Sequence, residues 1–210
     1  MNQLPEIRIK NAWLLRENTS VHLNELWGDG KPLRSERYYE KIAEQYEKAW
    51  KPYENKILKA MSRELDLEFR QNIIDVYIAP WFFAFSDPMI IGVIYEPDEF
   101  IDILTHELIH RLLTDNRTLP YDLFLIPHWE NLFGKNHSFN TLVHIPVHAV
   151  HKAVYLDALK DAKRLERDIK RHQKYGNKDY TAAWDYVESR GYEDIIACLK
   201  RQCQVLGKKK

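Results

Sequence analysis

The sequence predicts an α+β fold, a small mixed sheet packed on one helix and followed by a mainly helical C-terminal half. Three observations carry that expectation. Runs rich in Ile, Val, Phe and Tyr are confined to the N-terminal half, at 72–85 and 89–95. A segment opening at Pro97 has the acidic start and the apolar spacing of a helix. From residue 140 onward the pattern is almost wholly helical, punctuated by Gly176 and Gly191.

Taken in order, residues 6–15 alternate Ile7 and Ile9 with Arg8 and Lys10, the period of a half-buried strand. After the turn material at 28–32, residues 35–63 place Ile42, Tyr46, Ala49 and Trp50 at helical spacing, and Pro52 should kink or divide that helix. The two strand-like runs are parted by Ser86-Asp87-Pro88, a turn signal. Pro97, Asp98 and Glu99 then start a helix expected to run to about Thr114. Residues 119–133 are aromatic and proline-punctuated, with room for a short helix, and 134–138 should be a loop. Asn140 or Thr141 can cap a long helix reaching about Tyr175, ended by Gly176-Asn177. Two shorter helices are expected at 179–190 and 192–205, with a frayed Lys-rich tail behind them.

Composition sets bounds on partners. The chain has 210 residues, with 31 Lys and Arg against 31 Asp and Glu. Its size fits one domain over 1–210, divided into a strand, helix and sheet region (1–96), a central helix (97–115) and a helical half (140–205). Zero net charge offers no footprint for a phosphate backbone, so nucleic acid is not the expected partner. The apolar run at 73–85 contains Asp75 and Pro80 and falls short of a bilayer span, so no membrane segment is expected. The N-terminal residues lack a basic start followed by an apolar stretch. Cys198 and Cys203 are too few and too close to staple a fold, and read as small apolar residues. A cytoplasmic location is therefore expected.

The histidines are distributed unevenly. Seven of the nine lie between His106 and His151, and residues 106–110 read His-Glu-Leu-Ile-His within the segment expected to be helical. Four residues is about one helical turn, so both imidazoles leave the same face and can hold one divalent ion. Glu107 is rotated by about a hundred degrees from His106, beside the metal rather than on it, where a carboxylate can take a proton from metal-bound water. Ile101, Leu104, Leu108 and Leu112 lie roughly opposite the histidines and can pin the helix in a core.

This motif, on a helix that follows the sheet, resembles the active-site helix of the zincin metallopeptidases, over residues 70–155. The resemblance implies a zincin-like fold, a zinc ion held by His106 and His110, Glu107 as general base, metal-bound water as nucleophile and a third ligand downstream. The metzincin extension is excluded, because Leu113 and Asn116 stand where glycine and histidine are expected. The glutamate context of gluzincins and the His-Gly context of SprT-like proteases are also absent. A small gluzincin-like core with a histidine as third ligand fits best, of the kind found in uncharacterised phage and bacterial peptidases.

For that ligand, His144, His148, His151 and Tyr155 form one stripe of a helix, with Val143, Val147, Val150 and Val154 one residue behind and expected to face the core. The stripe should border that core at the edge of a cleft. His148 is favoured because it is central; His144 and His151 follow, and Glu130 is the carboxylate rival. Pro146 should be tolerated in the first turn. Tyr155 could support a ligand or an oxyanion, or be a boundary tyrosine. By the same analogy, strand 89–95 should border the cleft and pair with an extended peptide. Trp81, Phe82, Phe83 and Phe85 could form subsites or core, whereas Trp184, Tyr186 and Tyr192 look structural. The expected activity is zinc-dependent hydrolysis of a peptide or protein substrate. A non-catalytic binding domain of the same architecture, or a hydrolase of a non-peptide amide, are the alternatives.

Overall fold

In the computed structural model, residues 4–13, 34–80, 84–116, 126–174 and 176–207 are described. The chain is an α+β protein that divides into two compact units, one of residues 1–55 and 71–111, the other of 56–70 and 112–210.

The first unit is built on a four-stranded mixed sheet. Its strands are β1 (Glu6–Asn11), β2 (Ile73–Ala79), β3 (Phe85–Ser86) and β4 (Met89–Gly92), in the order β1-β2-β4-β3. β1 and β4 both run parallel to β2, with Ile7 opposite Ile74 and Ile78 opposite Ile91, and β3 returns antiparallel to β4. Along β2 the alternate residues Ile74, Val76 and Ile78 are buried while Ile73 is exposed. One face is thus a core face, as strand periodicity requires.

The first strand stops at Asn11, short of the expected 15, and residues 14 and 15 lie outside the described residues. The run 72–85 is two strands rather than one, and Trp81, Phe82 and Phe83 also lie outside the described residues. Strand 89–95 ends at Gly92. It is not the edge strand that the peptide-pairing expectation needed. The Asp87-Pro88 turn folds β3 back onto it, so β4 is paired on both sides and β3 occupies the edge.

The helix expected over 35–63 is divided at Pro52, as proline's missing donor dictates, into α1 (Glu36–Trp50) and α2 (Glu54–Leu65). α1 packs against β1 and β2. It buries Tyr39, Ala43, Tyr46 and Trp50, spaced at three to four residues. Tyr46 stacks on Phe100 with ring centroids 4.0 Å apart, and its hydroxyl donates to the Tyr95 carbonyl at 2.6 Å. Burial pushes that phenol's pKa up. Phe100 belongs to α3 (Pro97–Asp115), the motif helix.

The second unit is helical. After α4 (Ile126–Phe133) come α5 (Phe139–Ala153), α6 (Ala162–Lys174), α7 (Lys178–Arg190) and α8 (Tyr192–Gly207). Residues 119–125 lie outside the described residues. α5 packs against α4, α7 and α8, and α6 packs against α7. The core is made by Leu142, Ile145, Val147, Val150, Val154, Leu165, Trp184, Val187, Ile195 and Leu199.

The long helix expected from 140 to 175 is broken. α5 widens into a π-helical turn at Val154–Leu159, and Lys160 takes the left-handed conformation with φ 59°. The Tyr155 carbonyl accepts the Asp161 amide at 3.0 Å, closing the turn as at a helix C-terminus, and the Asp161 carboxylate accepts the Arg164 amide to start α6. The cap of α5 is Ser138 rather than Asn140 or Thr141, and its hydroxyl accepts the Thr141 amide at 3.1 Å. Pro146 therefore sits inside the helix, not in its first turn.

Candidate metal centre

α3 is started by its own sequence. Pro97 fits the first helical position, Asp98 and Glu99 oppose the positive end of the helix dipole, and Glu99 reaches back to accept the Glu96 amide at 3.3 Å. Farther along, Phe100, Ile101, Leu104, Leu108 and Ile109 are buried. So are Asp102, Thr105, His106 and Glu107, which means the helix is enclosed on nearly every side. Burial of this kind fixes rotamers, and a ligand pair requires it.

The two motif histidines are brought together. Their Nε2 atoms lie 3.2 Å apart, with the rings tilted by 66°. Two nitrogen lone pairs at this separation repel each other unless a proton or a cation lies between them. Two imidazoles on one tetrahedral zinc, each at about 2.05 Å, stand about 3.3 Å apart. The pair therefore has the spacing of two ligands of one ion.

Glu107 is 7 % exposed, and burial alone pushes its carboxyl up to about 8. A carboxyl held that high is mostly protonated at neutral pH, and a cation beside it would bring it down toward the range of a general base. The next residue after His110, Arg111, is ion-paired at 2.6 Å to Asp87 in the β3–β4 turn. The end of the motif is thereby tied to the sheet edge within the first unit.

The second unit holds the histidine stripe. His144 is 7 % exposed, and His148 and His151 are 0 % exposed. The stripe is thus enclosed rather than bordering the core, because α6 and α7 cover it. His148 stacks on Trp184 with ring centroids 4.2 Å apart, and stands 5.9 Å from His172. His151 packs against Tyr155 at 4.5 Å and faces the Asp168 carboxylate at 3.7 Å. His144 lies nearest the helix start, with Tyr180 beside it at 4.0 Å.

Its Nδ1 lies 2.6 Å from the Asn140 carbonyl. A carbonyl only accepts, so Nδ1 carries the proton and Nε2 the lone pair, the tautomer in which an imidazole ligates through Nε2. Burial draws the pKa of His144 down to about 4 and that of His151 also to about 4. Both are neutral near pH 7, as ligation requires.

The remaining candidates divide clearly. Tyr155 is fully buried beside His151, in the packing of a core tyrosine. Glu130 is half-buried on α4. Among the described residues, Glu130, His148 and His151 do not join any group of three potential ligand side chains close enough to share an ion.

Sequence reasoning missed Asp168, His172, Asp179 and Tyr180. Asp168 is fully buried and pairs with Arg171, while His151 and His172 face it at 3.7 and 3.9 Å. Burial opposes its ionisation, but His151, His172 and Arg171 more than offset this and hold the carboxyl below its usual range. The signal available was Asp168, Arg171 and His172 at i, i+3 and i+4 on one helix face. Asp157 accepts a hydrogen bond from the Tyr192 hydroxyl at 3.1 Å.

No described helix is long and apolar enough to cross a membrane. Comparison of the chain with protein-family models, with curated proteins and with solved structures finds no match.

Proposed function

We propose that the chain is a zinc-dependent hydrolase of zincin type acting on peptide bonds, with His106, His110 and His144 as ligands and Glu107 as general base. The observation that carries this reading is the 3.2 Å approach of the His106 and His110 Nε2 atoms on a helix that also buries Glu107. The choice of zinc follows from a set of imidazole donors, borderline-soft ligands that leave a fourth position open.

His144 is preferred to His148 as third ligand for reasons local to α5. Its tautomer is set by the Asn140 carbonyl, whereas His148 is stacked on Trp184 and fully enclosed.

A bound divalent ion would supply Lewis-acid polarisation of a carbonyl and acidify a water. The chain's part is then proton management. Glu107 takes the proton from the attacking water as the C–O bond forms, and returns it to the amine nitrogen as the C–N bond breaks.

Metal analysis of the purified protein beside His106→Ala, His110→Ala, His144→Ala and His148→Ala tests the site. One zinc per chain is expected in the parent and in His148→Ala, with loss in the other three. A parent that hydrolyses peptides with its zinc stripped would sink the reading. The small exposure of Glu107 favours one rival, a structural metal in a non-catalytic domain. In that case Glu107→Gln would alter nothing measurable, while the ligand substitutions would unfold the protein.

A further inference from the structure

We propose that Asp179 and Tyr180, in the first turn of α7, are positioning residues that hold the His144 imidazole in place for the metal. This inference rests on the ligand set proposed above. It starts from a weakness in α5. Pro146 lies inside that helix and has no amide hydrogen, so the bond from residue 146 to the Leu142 carbonyl is missing. His144 sits between those two positions, in a helix start short of one of its own bonds. A ligand there needs support from outside the helix if its ring is to be placed before the ion arrives.

α7 supplies that support. Its N-cap Asn177 accepts the amides of Asp179 and Tyr180 at 3.2 and 3.3 Å, which fixes the turn carrying both side chains. The Asp179 carboxylate accepts the Ser138 hydroxyl at 2.6 Å and the Asn140 side-chain amide at 3.3 Å. The Thr141 hydroxyl donates to the Asp179 backbone carbonyl at 3.3 Å. One acidic residue thus ties together the N-cap and the first turn of α5. That same turn includes Asn140, whose carbonyl receives the His144 Nδ1–H at 2.6 Å.

Tyr180 completes the clamp by laying its ring against the imidazole, with centroids 4.0 Å apart and planes 37° apart. The chain of dependence therefore runs from Asn177 to Asp179, to the Ser138–Thr141 turn, to the Asn140 carbonyl and so to the tautomer and direction of His144. Carbonyls and carboxylates behind a ligating histidine orient the ring and raise its basicity, and their loss commonly weakens metal binding by about 10-fold to 100-fold. The negative charge of Asp179 acts in the second sense as well as the first, since it favours electron donation from the neighbouring imidazole.

The test is Zn²⁺ affinity of the full chain, measured in competition with a chromophoric chelator. It is accompanied by the visible absorption of the Co²⁺-loaded protein and the thermal midpoint of the metal-free protein. Asp179→Ala and Tyr180→Ala are expected to bind Zn²⁺ about 10-fold or more weakly and to show altered Co²⁺ bands. Tyr180→Phe keeps the ring and should bind as the parent does. Asp179→Asn keeps an acceptor but loses the charge, and should fall between parent and Ala.

A purely structural role would lower the metal-free midpoint and leave the Co²⁺ spectrum unchanged. Zn²⁺ affinities within twofold of the parent for both alanine variants, with binding lost in His144→Ala, would overturn the clamp and leave the ligand set standing. Parent-like affinity in His144→Ala would overturn the ligand set, and the clamp with it. Should the alanine variants fail to fold, Asp179→Asn decides, and an affinity equal to the parent's overturns the proposal.

Discussion

Acidification from pH 7 to pH 4 is expected to loosen the helical unit through His151. That imidazole is fully buried on α5, faced by Asp168, Arg164, Arg171 and His172 from α6 and by Tyr155 from the π-helical turn that follows α5. Burial draws its pKa from 6.5 to about 4, and the Asp168 carboxylate only partly opposes that. The unfolded chain therefore binds a proton that the folded chain refuses between those two values, so stability falls as the pH drops through this window. Linkage between the two pKa values gives a loss of about 2 kcal/mol by pH 5 and about 3 kcal/mol by pH 4. A single domain's whole stability is about 5–15 kcal/mol, so the effect is large enough to see.

The assay is hydrogen exchange of peptides from α5 in metal-free protein, with His151→Gln alongside. His144 and His172 titrate in both proteins, so the difference between them isolates His151. Protection in the parent should drop more steeply with acid than in the variant. Equal loss in the two proteins between pH 7 and pH 4 would refute the reasoning.

On the proposed function, Glu107→Gln should keep the metal and lose peptide hydrolysis by about 10²-fold to 10⁴-fold, as removal of a general base does, read by metal analysis beside a peptide assay. Lys160→Gly should raise the thermal midpoint, because a left-handed backbone costs an L-residue about 1–2 kcal/mol and glycine nothing, less the entropy glycine adds to the unfolded chain. Tyr46→Phe removes the donor to the Tyr95 carbonyl and should cost about 1 kcal/mol or somewhat more in urea unfolding.

Much of the secondary structure was legible because its signals are local. Pro52 divided two helices, Pro97 began the motif helix, and Gly191 separated α7 from α8, each through the backbone of that residue alone. The break at Lys160 was not legible. Nothing in its neighbours forbids helix, and the π-helical turn before it depends on how α5 and α6 meet around Asp168. The pairing of β4 on both sides escaped for a similar reason. Strand order is a property of long-range contacts, and the composition of 89–92 suits an interior strand and an edge strand alike.

The sequence by itself determined the arrangement of the motif residues. His106, Glu107 and His110 are placed by helical periodicity, so their relative positions follow once the segment is helical, whatever surrounds it. Only the tertiary structure decided the character of the second histidine row. Periodicity put His144, His148 and His151 on one stripe but could not tell their environments apart. The packing of α6 and α7 did so, enclosing His148 against Trp184 and His151 against Asp168, and leaving His144 at the helix start with its tautomer set by Asn140. Spacing along a helix is fixed by the backbone, whereas burial is fixed by whatever distant segment arrives to cover it.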